Sequence, residues 1–225
     1  MNGALAAFMA VLRRDLLRGW RRRGDLAQPL IFLCVVAYLF PLAIGPEPAT
    51  LRLLMPAVLW VGAVLSTVVT LPEMYGSDQA DGTLELLALS PHPLPLLVLA
   101  KACAQWLANA LPLVACSAGL GALFGLDAYT LAALAGGMAL GTPVLTLIGS
   151  LASALTTGLR GGTLLLALIT LPMYIPVIIF GSAAARNAAM GLPVEAEMFF
   201  LSGLAVLALT LTPFAIAAAL RARLG

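Results

Sequence analysis

The chain has 225 residues, of which 62% are hydrophobic and only 10% charged, with a formal net charge of +2 and a mean hydropathy of +1.05. A soluble domain of this length needs far more polar surface over its core, so the composition excludes one and describes a polytopic membrane protein. The small positive charge is no argument for nucleic acid, because topology accounts for where the basic residues fall.

Six arginines lie between Arg13 and Arg23, and the first apolar run starts only after Pro29. A signal peptide is shorter and ends in a small-residue cleavage site, so the first span is expected to stay attached. At about 100° per residue, Leu5, Phe8, Met9, Leu12, Leu16 and Trp20 share one face of a helix over 4–24, while Arg14, Arg18, Arg21 and Arg22 gather opposite. Val11, Arg13 and Leu17 break the separation. An Arg-rich amphipathic helix of this kind lies in the headgroup plane. The plainer reading is that the arginines only fix topology, and the two roles can coexist.

Charges then divide the apolar sequence into six spans, over 29–44, 53–72, 96–124, 129–157, 163–181 and 199–220. The uncharged run from Ala128 to Leu159 exceeds the roughly 20 residues a span needs. Gly141-Thr142-Pro143 interrupts it, so a tilted or kinked fourth helix is expected. The fifth span carries Pro172 and Pro176, which with Pro143 are candidate hinges. Six spans put both termini on one side. With that side inside, ten cations are internal: Arg13, Arg14, Arg18, Arg21, Arg22, Arg23, Lys101, Arg160, Arg221 and Arg223. Only Arg52 and Arg186 are external. A bias of that size decides orientation.

The span interiors hold no Asp, Glu or Arg, and Lys101 sits near the inner end of the third. Ionisable residues within a bilayer mark ion pathways, so their absence counts against a proton-coupled carrier. No GxxxxGK[ST] loop precedes Lys101, the sole lysine, which excludes ATP hydrolysis within this chain. No catalytic residue is assigned. His92, the only histidine, reads as a turn residue among Ser90, Pro91 and Pro93. Cys34, Cys103 and Cys116 fall in apolar runs without a CxxC, as small buried hydrophobes, and no metal site is assigned. Gly121/Gly125 and Gly137/Gly141 have the GxxxG spacing that lets helices approach closely, within the chain or between two copies.

The connection between spans two and three, 73–93, is different in kind. It holds four acids, Glu73, Asp78, Asp81 and Glu85. If its second half is helical, Asp78, Asp81 and Glu85 share one face, with Ala80, Leu84 and Leu87 roughly opposite. Gly76 and Gly82 allow bends. An exposed apolar ridge flanked by acids is a docking element for another protein. The plainer reading is an interfacial connector.

Gly82-Thr83-Leu84-Glu85-Leu86-Leu87, preceded by Glu73 and followed by Pro91, resembles the segment between spans two and three of type-2 ABC exporter permeases. Over nearly the whole chain the sequence is similar to the CcmB family, the membrane subunits of cytochrome c maturation ABC complexes. The matching stretches are 40–48, 79–85, Gly141-Thr142-Pro143, 158–162 and 211–221, with the proline-spaced 171–180 resembling the family's fifth span.

This resemblance implies an all-α fold of six transmembrane helices behind an interfacial helix. It implies ATPase coupling through Glu73, Asp78, Asp81, Gly82, Thr83, Leu84, Glu85 and Leu87. The external residues Pro46, Glu47, Pro48, Arg186 and Glu195 would then face a periplasmic partner. Implied partners are an ABC ATPase subunit in two copies, a second copy of the chain, a haem-handling membrane subunit, a small membrane subunit and a periplasmic haem chaperone. ATP is bound on the ATPase and haem is handled by the complex, while no cofactor is assigned to this chain. The implied location is the bacterial inner membrane, with both termini cytoplasmic.

Trp20, Trp60 and Trp106 are scattered, no CxxCH occurs, and no His or Met pair is set as axial ligands. That pattern favours a subunit that transmits ATP energy to release a loaded chaperone over one that itself conducts haem. Two other readings stay open: a permease of the same fold exporting a lipid, drug or polysaccharide, and a non-transporting membrane scaffold for haem-handling proteins.

Overall fold

The computed structural model describes residues 2–21, 23–45 and 47–224, except for the side chains of Asn2, Arg23, Asp25 and Leu224. Among the described residues every regular element is helical. An N-terminal helix α1 (Asn2–Arg21) leads into α2 (Arg23–Ile44) and α3 (Pro48–Thr70). Two short helices follow, α4 (Glu73–Ala80) and α5 (Thr83–Ala88). Then come α6 (Leu94–Gln105), a π-helical turn (Trp106–Ala110), α7 (Leu111–Leu123), α8 (Ala128–Thr156), α9 (Gly162–Ala189) and α10 (Glu195–Leu224).

Six stretches are long and apolar enough to cross a bilayer: Leu26–Ile44, Pro48–Ala80, Leu94–Leu123, Ala128–Thr156, Gly162–Ala189 and Glu195–Arg223. The chain is therefore an all-α, multi-pass membrane protein with an amphipathic helix ahead of its spans. Leu5, Met9 and Trp20 of α1 are exposed, as a face turned toward lipid requires.

In the fourth span α8 runs from Ala128 to Thr156 as one helix with Pro143 inside it. Likewise α9 passes Pro172 and Pro176 and continues to Ala189. Proline is tolerated in such helices because neighbouring helices and Thr side chains satisfy the freed backbone. The third span carries a π-helical turn. Pro112, second in α7, cannot donate a backbone hydrogen bond, and its ring crowds the carbonyl four residues back. The π turn directly before it takes up that misfit. Trp106 Nε1 donates across to Thr142 Oγ1 at 3.0 Å and ties the turn to α8.

The centre of the bundle is α3 packed against α8 and α9. Trp60 of α3 is fully buried, and its ring fills the space left by two glycines. A Cβ at Gly141 would lie 2.8 Å from the ring, and one at Gly181 would collide with it. Gly137 meets the same ring, and Gly121 packs against Leu131. Both GxxxG pairs thus contribute glycines to packing within the chain.

Asp127 caps α8 by accepting the N–H groups of Tyr129 and Thr130, at 3.1 and 3.3 Å, and the Thr130 hydroxyl at 2.5 Å. Those bonds, from Thr130 foremost, hold its carboxyl below the usual carboxylate range. A group with a depressed folded-state pKa stabilises the fold above its unfolded value, about 3.9. That contribution is lost as pH falls through the lower, folded value. Thermal unfolding of Asp127→Asn is expected to show a lower Tm than the parent at neutral pH, with the gap closing in strong acid.

Candidate coupling site

The segment between the second and third spans turns back on itself in two steps. Helix α3 ends at Thr70, and the Leu71-Pro72 elbow starts α4. Ser153 of α8 donates to the Leu71 carbonyl at 2.9 Å. Tyr75, fully buried, exchanges a hydrogen bond with Ser150 at 3.0 Å. Gly149 leaves room for the Leu71 side chain, since a Cβ there would lie 2.5 Å from it. The elbow is therefore pinned to α8 by polar contacts on both sides of its bend.

One turn on, Asp78 is fully buried, and its carboxylate is met by three cations from two other elements. Arg18 Nη1 donates to Oδ1 at 2.6 Å, Arg14 Nη2 to Oδ2 at 3.2 Å, and Lys101 Nζ to Oδ2 at 2.5 Å. Lys101, itself 4% exposed, also donates to Asp15 at 2.8 Å. Arg14 Nε donates to Asp15 at 2.7 Å, and Arg18 Nη2 reaches Asp81 at 3.3 Å. Three cations thus face three carboxylates. Burial of a charge demands such pairing, because an isolated ion in a low-dielectric site is strongly disfavoured. The Tyr75 ring lies 5.5 Å from Lys101 Nζ and adds a cation–π contact.

The spacing that permits this is simple. Arg14 and Arg18 are four apart on α1 and project from one face, while Lys101 stands about two turns into α6, on its buried side. The knot joins α1, α4 and α6 into one unit at the Arg-rich end of the bundle.

Beyond Ala80 the chain reverses at Gly82, whose φ of +74° is a left-handed conformation that glycine adopts freely. Asp81 accepts the Thr83 N–H at 3.0 Å. Hydrogen bonds from Thr83 hold its carboxyl below the usual range. The new helix, α5, has a phase unrelated to that of α4. Leu84 and Leu87 point inward, toward α6 and α10. Glu85 is exposed, with Leu86 at 70% and Leu89 at 82%.

This corrects the expected ridge. Leu84 and Leu87 are buried rather than exposed, and Asp78 and Glu85 do not share a face, because the helix phase is reset at Gly82. The outward apolar pair is Leu86 and Leu89. Arg14 and Arg18, expected among the headgroups, are turned to Asp78.

Residues 6–223 match the family described as "CcmB protein". The chain belongs to the CcmB family. It is 47% identical over 218 residues to the "Heme exporter protein B" of Pseudomonas aeruginosa, covering 97% of this chain and 98% of that one. It is 41% identical over 214 residues to the protein of the same name from Haemophilus influenzae, covering 95% and 97%. The Escherichia coli K12 protein of that name is 42% identical over 214 residues, with the same coverage.

In this CcmB-family chain the structure gathers part of the expected set. Asp78 and Asp81 meet Arg14 and Arg18, Gly82 and Thr83 make the corner, and Glu73 lines a cavity behind the elbow. Trp20 and Arg21 are exposed at the end of α1, away from the knot. Arg22 and Pro46 lie outside the described residues.

At the opposite end Glu47 accepts a hydrogen bond from Thr50 at 2.8 Å, with Pro48 opening α3. Arg186 and Glu195 are exposed at facing ends of α9 and α10. The nearby Asn187–Glu197 hydrogen bond, at 2.8 Å, joins the two helices there. Sequence reasoning passed over Asp15 altogether and read Lys101 only as a topological charge. Asp15 is the sole acid among the α1 arginines, and Lys101 is the sole charge in Leu94–Leu123. Those two singularities were the available signals.

Proposed function

We propose that this chain is the permease subunit of an ATP-driven haem-export complex acting in cytochrome c maturation, and that it conveys force from a separate ABC ATPase. The observation that carries this reading is the α4–α5 element. One side is locked to α1, α6 and α8 by the Asp78 knot and the Tyr75–Ser150 bond, while the other presents Glu85, Leu86 and Leu89 outward. A surface that is open yet rigidly backed is what a transmitting contact needs.

In this reading the Arg-rich side is cytoplasmic, the membrane is the bacterial inner membrane, and the chain works as a pair with two ATPase subunits. The haem-handling membrane subunit, the small membrane subunit and the periplasmic chaperone complete the assembly. Closure of the ATPases pushes α5. Because α4 is continuous with α3 through the pinned elbow, the push tilts α3, and the knot carries α6 and α1 with it. The far ends of these helices then move against the periplasmic partner, and this favours release of a haem-loaded chaperone.

The direct test reverses the charge on the open face. Glu85→Lys is expected to abolish co-purification of the ATPase and cytochrome c maturation together, while leaving the amount of folded subunit in the membrane unchanged. Survival of both would remove α5 from the coupling role. ATP-dependent haem accumulation in sealed vesicles carrying the complex would show transport rather than release.

A further inference from the structure

Helix α1 divides its arginines between two faces. Arg14 and Arg18 turn inward to Asp78, while Arg13 and Arg21 are exposed. Among the described residues neither Arg13 nor Arg21 has a carboxylate partner. Asp15, the one acid of α1, is held on the inner side by Arg14 and Lys101. The outer face therefore carries two cations and no acid.

The neighbours of these two cations are apolar. At about 100° per residue, Met9, Leu17 and Trp20 lie within about 40° of Arg13, with Leu5 about 80° to one side and Arg21 about 80° to the other. All of them are exposed. Four large apolar side chains on one open face are poorly served by water. Two unpaired guanidinium groups are equally poorly served by hydrocarbon. Both are satisfied at the boundary between headgroups and acyl chains, where the apolar side chains dip inward and each arginine runs its stem along them to set its charge among the phosphates.

The chemistry of the cation narrows the lipid. A guanidinium offers a fork of N–H donors that matches two oxygens of a phosphate. Every phospholipid carries that phosphate, but phosphatidylcholine carries its own cation beside it. An anionic lipid leaves the phosphate charge uncompensated. The Cα atoms of Arg13 and Arg21 are roughly 12 Å apart along the helix, so each meets its own phosphate.

We propose that the exposed strip of α1 centred on Arg13, Trp20 and Arg21 is a recognition surface for anionic phospholipids in the leaflet on the Arg-rich side. The opposite face of the same helix grips Asp78, so the lipid contact also fixes the level of α4 against the membrane surface. Binding of this kind is independent of what the complex transports.

The test uses the whole complex purified in mild detergent. Native mass spectrometry follows the lipid it retains from mixtures of phosphatidylglycerol and phosphatidylcholine. The parent is expected to prefer phosphatidylglycerol. Arg13→Gln combined with Arg21→Gln is expected to lower that preference about 25-fold, at about fivefold per arginine. Arg13→Lys with Arg21→Lys is expected to keep most of it, because the charge remains. Neither arginine touches the knot, so the Tm of the double Gln variant in phosphatidylcholine should match the parent's.

An equal retention of the two lipids by the parent overturns the proposal, as does an unchanged preference in the assembled double Gln variant. Loss of another subunit from that variant with its lipid preference intact makes the strip a protein contact and likewise overturns it. Should the double variant fail to assemble, the single variants Arg13→Gln and Arg21→Gln decide the matter, each with an expected fivefold loss. Lipid retention is read separately from ATPase binding, so this test and that of Glu85→Lys fail independently.

Discussion

Replacing Asp78 by alanine is expected to lower stability by about 3–5 kcal/mol, the typical effect of removing one partner from a buried ion pair. Asp78 is fully buried and Lys101 is 4% exposed, so the strand of positive charge left behind has little water to turn to. Arg14 and Arg18 are about a third exposed and recover part of their hydration. Thermal unfolding in detergent and the amount of subunit retained in the membrane report the loss.

The double variant Asp78→Leu with Lys101→Met provides the control. Asp15 keeps Arg14 and Arg18 keeps Asp81 in that background. Replacing a whole buried pair by apolar residues is close to neutral, so the double variant is expected to lose less stability than the single variants Asp78→Leu and Lys101→Met summed, a non-additivity that marks direct coupling. Asp81→Ala, at the exposed rim, is expected to leave stability near native. Equal stability of Asp78→Ala and Asp81→Ala would show that the knot holds nothing together.

The second large effect is expected in assembly rather than in folding. Leu86→Glu combined with Leu89→Glu places two charges on the open face of α5. Each anchor lost from the centre of a protein interface removes about 2 kcal/mol or more, and 1.4 kcal/mol is already tenfold in affinity. Co-purification of the ABC ATPase should therefore collapse while the subunit's own Tm holds. Leu84→Glu on the inner face of the same helix is expected to do the reverse, lowering Tm because a carboxylate is forced into a buried site. If the Leu86/Leu89 variant still binds the ATPase at native strength, α5 is not the docking face.

The site was legible only in outline. The four acids of 73–93 stand out in the sequence, and Gly82 reads as a place for a bend. Its consequence was not drawn, because a helical wheel continued through a left-handed residue assigns every later side chain to the wrong face. Leu84 and Leu87, expected on an outward ridge, are buried for that reason. Asp15 and Lys101 are 86 residues apart in sequence, and no local pattern joins them. In the fourth span Gly141 admits the Trp60 ring, and the helix continues past Pro143.

What the sequence determined by itself was the class of protein, the six apolar stretches and the amphipathic helix before them. Hydropathy and charge act as sums over neighbouring residues, so a linear reading captures them. The tertiary structure alone decided which charges are buried and which leucines face outward. Burial of a charge depends on partners brought from distant helices, since Asp78 is stable inside the protein only where Arg14, Arg18 and Lys101 converge on it.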